Sequence, residues 1–236
     1  MPTPLPLPEN HKLKIIAISD LHGDTIPVGD LPDGDVLVIA GDVLPDDYKP
    51  VGRDWLGTSR TIRQMWWYDD VWLPYLESLT AKFDFVLWIG GNHDFYLQAQ
   101  QAKHLQEMMP KRVEYLCESW TIIDGVKFYG APWNCTAGWA FYLDDPEGFD
   151  EKLPHVPDDT DVLVVHGPPK VDRMPGFHWC SHALSDWVAT HPLKAVICGH
   201  IHEAYGEYRI LTTPVHVVSS KNRNYELVNP PVEIEI

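Results

Sequence analysis

Short apolar runs recur along the chain, and each of them ends abruptly at a Gly, Asp, Asn or His. The five clearest runs are Lys14–Asp20, Asp35–Asp42, Phe83–Asn92, Asp161–His166 and Lys194–His200. Runs of this length that are rich in Val and Ile are typical of strands buried on both faces. The pattern therefore predicts five core strands that carry polar side chains at their ends.

Helical and hairpin patterns fill much of the sequence between these runs. Apolar residues at helical spacing span roughly Thr61–Lys82, Tyr96–Met109 and Ser181–Thr190. Leu116–Gly130 alternates like two strands joined at Asp124-Gly125, which is a favoured two-residue hairpin turn. A second hairpin is expected near Tyr205–Ser220.

Mixed βαβ units and hairpins together predict an α/β fold built from two packed mixed sheets. Neither an internal repeat nor a convincing linker divides the 236 residues. We therefore expect a single domain over residues 1–236, in which residues 1–12 form an extended proline-rich arm.

The charge balance limits the partners that the chain can have. Acidic residues outnumber basic ones by 34 to 18, which gives a formal net charge of -16. Duplex nucleic acid and anionic membrane surfaces bind basic proteins, so neither is an expected partner. The apolar runs are too short to span a bilayer, and the four cysteines form no Cys-x-x-Cys pair. We expect a soluble, cytoplasmic protein whose oligomeric state the sequence leaves open.

Polar side chains at the strand ends are the candidates for chemistry. They lie in the segments Ser19–Gly23, Ala40–Asp42, Gly90–Asp94, Val165–Pro169 and Cys198–Glu203. Folds of the α/β class place ligands at the carboxyl ends of their strands. Since residues i and i+2 of an extended chain point to the same side, Asp20 with His22, and His200 with His202, can each converge on one point.

The residue types in these segments indicate a transition-metal site. Seven candidate donors combine carboxylate, amide and imidazole groups: Asp20, His22, Asp42, Asn92, His166, His200 and His202. Imidazole and carboxylate together suit Zn, Fe, Mn or Ni better than Ca or Mg alone. Seven donors are too many for one tetrahedral ion and match the need of two ions that share a bridging carboxylate.

The order of these segments resembles that of the calcineurin-like metallophosphoesterases. That superfamily is defined by Asp-x-His, Gly-Asp, Gly-Asn-His-Asp/Glu, His and Gly-His-x-His blocks, and all five occur in this order between Asp20 and His202. The resemblance implies a four-layer α/β/β/α sandwich of two mixed sheets, the metallo-dependent phosphatase-like fold. It also implies a first metal and a second metal bridged by Asp42: the first held by Asp20, His22, Asp42 and His202, the second by Asp42, Asn92, His166 and His200.

A finer similarity is to class III-like phosphodiesterases related to the mammalian brain metallophosphodiesterases. It rests on His166–Pro169, Gly199–Gly206, Pro132–Asn134 and Asn229–Pro231. This similarity implies a phosphodiesterase that hydrolyses a small, nucleotide-like phosphodiester by in-line attack of a metal-bridging hydroxide. Manganese is the expected metal, with Fe, Zn, Ni or Co as alternatives. A phosphomonoesterase, a nuclease or a catalytically silent scaffold of the same superfamily stays open as an alternative function.

Two residues that directly follow Asn92 are the candidates for acid catalysis. The leaving alkoxide of a diester needs a proton, and His93, which is not a ligand in the superfamily, is the expected general acid. Asp94 is expected to orient that imidazole or to raise its pKa. Protein phosphatases carry Gly-Asp-x-x-Asp-Arg, whereas this chain has Gly41–Asp46 without the required Asp and Arg, and Arg173 is the only arginine near a motif. A protein phosphatase is therefore disfavoured.

The chain has ten tryptophans, and several of them lie close to the motif segments. Large aromatic residues at helical spacing usually pack in a core, which we expect of Trp66 or Trp67 and of Trp72. Trp133 and Trp139 lie in one loop after the first hairpin. We expect these two residues to border the site, where an aromatic ring can stack on a base.

Overall fold

Two mixed β-sheets lie at the centre of the computed structural model, which describes residues 12–53 and 56–236. Within those residues the strands are β1 (Lys14–Ile18), β2 (Val36–Ala40), β3 (Phe85–Ile89), β4 (Val113–Tyr115), β5 (Ser119–Ile123), β6 (Val126–Ala131), β7 (Val162–Val165), β8 (Ala195–Cys198), β9 (Gly206–Ile210), β10 (Thr213–Val217) and β11 (Val232–Glu235). The first sheet has the order β11-β1-β2-β3-β4, and the second has the order β5-β6-β7-β8-β10-β9. Neighbouring strands are parallel except for the edge strands β11, β5 and β9, which are antiparallel.

The structure confirms the strands and hairpins that the sequence pattern predicts. The five apolar runs form β1, β2, β3, β7 and β8, and each strand ends before its terminal polar residues. Strands β5 and β6 form the first hairpin, and β9 and β10 form the second. Asp124 and Gly125 have φ angles of 48° and 78°, the left-handed values that a type I′ turn requires at both positions. The pattern did not predict β4 or β11.

Strand β2 shows why these strands have unbroken apolar sequences. All five of its residues are fully buried. Val36 and Val38 pack in the core between the two sheets, whereas Leu37 and Ile39 pack in the core beneath the helices. Because both faces of the strand are covered, a polar side chain at any of these positions would be buried.

Helices cover the outer face of each sheet. The α-helices are α1 (Arg60–Trp67), α2 (Leu73–Leu79), α3 (Phe95–Gln98), α4 (Ala102–Glu107), α5 (Glu147–Lys152) and α6 (His182–Thr190), and a π-helical turn at Tyr68–Trp72 joins α1 to α2. Trp67 and Trp72 are buried against the first sheet with their rings stacked 5.8 Å apart, which confirms their predicted place in the core. Phe149 of α5 and Leu184 of α6 pack on the second sheet. The fold is the four-layer α/β/β/α sandwich that the resemblance implies.

The predicted helices correspond to α1 with α2, to α3 with α4, and to α6, whereas the pattern did not indicate α5. In the part of the chain that the structure describes, no helix has the length and apolar character needed to cross a membrane. Residues 1–11 of the predicted proline-rich arm lie outside the described residues.

Candidate metal centre and active site

Loops from both sheets meet at the carboxyl ends of their strands. The loops after β1, β2 and β3 come from the first sheet, and those after β7 and β8 come from the second. His166 Nδ1 lies 2.8 Å from the carbonyl oxygen of Ala40, and the backbone N–H of His200 donates to both carboxylate oxygens of Asp20 at 3.1 Å. The backbone N–H of His93 donates to Asp42 Oδ1 at 2.7 Å, so all five predicted motif segments take part in these contacts.

Four of the seven predicted ligands have backbone angles in the left-handed region. The φ angles are 57° for Asp20, 44° for His22, 53° for Asp42 and 71° for His200. Backbone hydrogen bonds hold the first loops together, from Asp20 N–H to the Gly41 oxygen at 3.0 Å and from His22 N–H to the Asp42 oxygen at 2.9 Å. Side chains adopt this region at an energetic cost, and such strain concentrates at functional sites. The sharp turns bring these side chains close to one another.

The ligands predicted for the first metal form a compact group. His22 Nε2 lies 3.2 Å from His202 Nε2, 3.8 Å from Asp42 Oδ2 and 4.0 Å from Asp20 Oδ1. His202 Nε2 is 3.5 Å from the same Asp20 oxygen. Two imidazoles and two carboxylates thus present four donor atoms around one point.

The ligands predicted for the second metal form an adjacent group. Asn92 Oδ1 lies 2.8 Å from His166 Nε2 and 2.7 Å from His200 Nδ1. His166 Nε2 is also 3.2 Å from Asp42 Oδ2, the oxygen that faces His22. Asp42 therefore belongs to both groups, which is the geometry that a bridging carboxylate requires.

Contacts behind the ligands fix their orientation. Ser19 and Ser219 donate hydroxyl hydrogen bonds to Asp20 Oδ2 at 2.5 and 2.6 Å. Each of three histidines uses its outward nitrogen in a second contact: His166 with the Ala40 oxygen, His200 with Thr136 Oγ1 and His202 with the Asn222 oxygen. Such partners set the tautomer and the direction of a metal-binding imidazole.

Two glycines leave room for the carboxylates. A Cβ atom on Gly91 would lie 2.3 Å from Asp42 Oδ1, and one on Gly199 would lie 2.5 Å from Asp20 Oδ2. Both distances are far below any van der Waals contact. A side chain at either position would therefore displace a ligand.

The electrostatics of the two groups fit divalent cations. Burial alone would raise the pKa values of Asp20 and Asp42, but the surrounding imidazoles outweigh it and lower both. Burial would likewise lower the pKa of His166, yet Asp42 raises it to about 9. Burial lowers the pKa of His22 to about 4. Burial and the charge of His166 together lower the pKa of His200 to about 3. The proton on His166 compensates part of the buried negative charge, and a dication can take over that compensation. Ionised carboxylates together with imidazoles are a donor set that suits such ions.

His93 has a different environment from the ligands. Its Nδ1 atom lies 2.9 and 3.0 Å from the two carboxylate oxygens of Asp46, while its ring packs edge-on against His22 at 4.6 Å and tilted against Trp139 at 4.3 Å. Burial would lower the pKa of His93, but the Asp46 hydrogen bond outweighs it and raises that pKa. Since Asp46 occupies Nδ1, Nε2 is the nitrogen available to the cleft.

Asp94 contributes to the raised pKa of His93 through its charge, as one of the two expected roles requires, but its carboxylate makes its hydrogen bonds elsewhere. Its buried carboxylate accepts backbone hydrogen bonds from Gly91 and Leu44 at 2.8 Å and from Val43 at 3.3 Å. Burial and the charge of Asp42 raise the pKa of Asp94 to about 7. The hydrogen bond that orients the imidazole, expected from Asp94, is made instead by Asp46, and Asp94 joins the loops after β2 and β3.

Gln64 of helix α1 ties the same two loops together from outside. Its amide nitrogen donates to the backbone oxygens of His93 at 2.7 Å and Pro45 at 3.2 Å, and its side-chain oxygen accepts from the Tyr96 N–H at 3.0 Å. The side chain is fully buried. The sequence pattern gives no sign of Gln64, and the one sign of Asp46 is a carboxylate four residues after Asp42.

A cleft of about 280 Å³ opens over the ligands. Trp139 lines this cleft, as predicted, whereas Trp133 is buried against Phe149 in the core beneath the second sheet. Tyr225 borders the opposite side, with its ring 4.8 Å from that of His22. Arg173 lies in a separate depression with Lys170 and Arg209 rather than in this cleft.

The four-layer fold and the two adjoining ligand groups are those of a metal-dependent phosphoesterase. The chain belongs to the calcineurin-like phosphoesterase family, whose sequence model matches residues 13–204. It is similar to metallophosphoesterase domain-containing protein 1 of Homo sapiens and of Mus musculus, with 28% identity over 259 residues that cover 94% of this chain and 71% of each relative. It is also similar to UPF0046 protein K07C11.7 of Caenorhabditis elegans, with 27% identity over 209 residues, 82% of this chain and 65% of the relative. These matches confirm the family resemblance.

Proposed function

We propose that this chain is a dinuclear metal-dependent phosphodiesterase that hydrolyses a small, nucleotide-like phosphodiester. The observation that carries the proposal is the His93–Asp46 pair beside Asn92 of the ligand set, because it adds a positioned proton donor to a metal centre. A catalytically silent scaffold would not need such a donor. Manganese is the metal that we propose, and the cytoplasm is the proposed location.

Asp42 and Asp20 set the charge of the centre. Two divalent ions, when bound, supply a nucleophile of lowered pKa and stabilise charge on the phosphoryl oxygens. Four positive charges, less two carboxylates and one hydroxide, leave about one net positive charge. The amide of Asn92 and the neutral imidazoles preserve that charge, which suits a phosphodiester monoanion.

His93 supplies the proton that the leaving group needs. Asp46 accepts the Nδ1 hydrogen and holds the ring, so the Nε2 hydrogen faces the cleft and can pass to the departing alkoxide oxygen. A positioned acid of this kind contributes a rate factor of about 10²–10⁴. Its contribution falls when the leaving group is already a stable anion.

The lining of the cleft favours a diester over a monoester. Among the described residues that line it, none is Lys or Arg, and Glu203 adds a negative charge. A phosphomonoester dianion would require more positive charge than a diester monoanion does. This difference supports the phosphodiesterase over the phosphomonoesterase alternative.

The test compares bis-p-nitrophenyl phosphate with p-nitrophenyl phosphate on chelator-stripped protein to which Mn²⁺ is returned. We expect Mn-dependent turnover with a clear preference for the diester. A preference for the monoester would overturn the proposal in favour of a phosphatase. Bound metal without hydrolysis of either compound would overturn it in favour of a silent scaffold.

The His93→Ala variant tests the acid itself. We expect it to retain metal and to lose about 10²–10⁴-fold in kcat on diesters with alkyl leaving groups, because these need the proton. The loss on bis-p-nitrophenyl phosphate should be much smaller. Equal losses on both substrates would contradict the general-acid role.

A further inference from the structure

A second cavity adjoins the metal cleft. It has a volume of about 390 Å³ and is lined by Arg60 and Thr61 of helix α1, by Phe95 and by Gly138. Trp139 lines this cavity and the metal cleft alike. Trp139 therefore lies between the two spaces and contributes to the wall of both.

Arg60 lies above the aromatic floor of this second cavity. Its guanidinium carbon is 4.9 Å from the centre of the Phe95 ring and 5.5 Å from the centre of the Trp139 ring, within cation–π distance of both. The Phe95 and Trp139 rings are 5.9 Å apart. Two rings and a planar cation thus form a platform, which we call the Arg60 platform and define by Arg60, Phe95 and Trp139.

The guanidinium of Arg60 retains donors for a ligand. Within residues 12–53 and 56–236, its one ion pair is with Asp46 at 3.5 Å, and its side chain is 41% exposed. A guanidinium carries five N–H donors and matches phosphate geometry in a bidentate manner. Because the contact with Asp46 is long and involves one nitrogen of Arg60, most of the guanidinium N–H donors can face a ligand.

The Arg60 platform lies on the side of the cleft where the leaving group must depart. His93 gives its proton to the leaving oxygen under the proposed function, and the Trp139 ring is 4.3 Å from the His93 ring. Resting on that proposed function, we propose that the Arg60 platform binds the leaving half of the diester, and that this half is a nucleoside carrying a second phosphate. The base stacks on Trp139, and the second phosphate pairs with Arg60.

The chemistry of the platform selects this class of ligand. Stacking on Trp139 accepts any planar base, since every base has a π-face. The second phosphate supplies a negative charge that pairs with the guanidinium of Arg60. The lining of the adjoining metal cleft, by contrast, contains the acidic residue Glu203. Short oligonucleotides with a terminal phosphate have both features, whereas a cyclic mononucleotide has no second phosphate.

The experiment measures kcat/KM for three thymidine dinucleotides on Mn-loaded protein: TpT, TpTp and pTpT. Chromatography of the products separates cleavage of the internal diester from loss of a terminal phosphate, and it shows which oxygen leaves. We expect the dinucleotide with its phosphate on the leaving nucleoside to exceed TpT about tenfold, the effect of one charge-assisted hydrogen bond. The Arg60→Gln variant should lose most of that preference.

The ratio between substrates is the informative quantity. Arg60 also contacts Asp46, so its replacement can alter His93 on every substrate, but that effect cancels in the ratio. The control is Arg53→Gln, because Arg53 has a similar exposure of 39%, an ion pair with Asp70 at 3.0 Å and a ring contact with Trp66 at 5.3 Å, all outside the cleft. It should keep the preference.

The outcomes separate this inference from the proposed function. Failure to cleave any of the dinucleotides or bis-p-nitrophenyl phosphate would overturn the phosphodiesterase. Cleavage of TpT at the same efficiency as both phosphorylated dinucleotides would overturn the Arg60 platform alone. A preference that survives in Arg60→Gln would do the same.

Discussion

The hydrogen bond between Asp46 and His93 can be removed with little change in shape by the Asp46→Asn substitution. Asp46 lies 2.9 Å from His93 Nδ1, and its side chain is 41% exposed. A hydrogen bond to a charged group contributes about 1.5–3 kcal/mol, and exposure to solvent places this one at the lower end. Since about 1.4 kcal/mol corresponds to tenfold in rate, we expect kcat to fall about tenfold on diesters with alkyl leaving groups.

The pH profile gives a second measure of the same bond. Asp46 raises the pKa of His93, so the protonated acid persists to higher pH than an ordinary histidine. Activity should fall as the pH rises through that pKa. Asp46→Asn removes the carboxylate, so this falling limb should move to lower pH.

The assay is steady-state kinetics on Mn-loaded protein, with an alkyl diester and bis-p-nitrophenyl phosphate as the pair of substrates. Asp47→Asn is the matched control, because Asp47 pairs with Lys49 at 2.9 Å and Arg63 at 3.3 Å instead of with His93. It should leave both rates and the pH profile unchanged. Equal slowing of the two substrates by Asp46→Asn, or loss of metal along with activity, would refute the role of Asp46.

Three further changes test the architecture of the site. Asp42→Asn should lose bound metal and activity together, measured by elemental analysis and turnover, because Asp42 faces both ligand groups; an active, fully metallated variant would contradict the bridging role. Gly199→Ala should also lose metal, since its Cβ would lie 2.5 Å from Asp20 Oδ2. Retained metal would show that the loop shifts enough to accommodate the methyl group. Gln64→Leu should lower the free energy of unfolding in urea by about 2–4 kcal/mol, because it leaves the buried Tyr96 N–H without its side-chain acceptor and removes one of the hydrogen bonds to the His93 oxygen; an unchanged midpoint would exclude that cost.

The strands and the ligands could be predicted because their signals are local. A strand covered on both faces must be apolar throughout, and the Gly or Asp that ends it marks the turn, as Val36–Ala40 and Asp42 show. The ligand types then stand within a few residues of each strand end. Parallel strands bring those ends to one edge, so the sequence indicates which residues meet without any contact being known.

The pairing of His93 with Asp46 could not be predicted in the same way. Asp46 and His93 are 47 residues apart, and their contact depends on how the loops after β2 and β3 pack. Asp94 was the nearer carboxylate in sequence, but its side chain turns back to the backbone N–H groups of Gly91 and Leu44. The residue that hydrogen-bonds His93 is therefore not its neighbour in sequence, Asp94, but Asp46, which only the packing of the loops brings close.

Trp133 and Trp139 show the same limit for aromatic residues. Both belong to the loop after β6, and their sequence surroundings do not separate them. Trp133 fills the core beneath the second sheet, donating its indole N–H to Glu118 at 3.0 Å, whereas Trp139 packs at a tilt against the His93 ring. Which ring reaches the cleft depends on the path of the loop. Arg60 belongs to no motif, and its contacts with Phe95 and Trp139 depend on how helix α1 packs beside the loops.

An acidic chain that acts on an anion must compensate its charge close to the reacting atoms. The formal net charge is -16, but at physiological ionic strength charges more than about 8 Å apart are largely screened. The local balance therefore decides binding: the metal charge opposes Asp20 and Asp42, and Arg60 opposes Asp46 at 3.5 Å. Asp46 beside His93 and Glu203 in the cleft lining are both acidic, and Arg60 is a cation that pairs with Asp46. If the Arg60 platform binds the leaving half as proposed, Arg60 sets how much negative charge that half can carry.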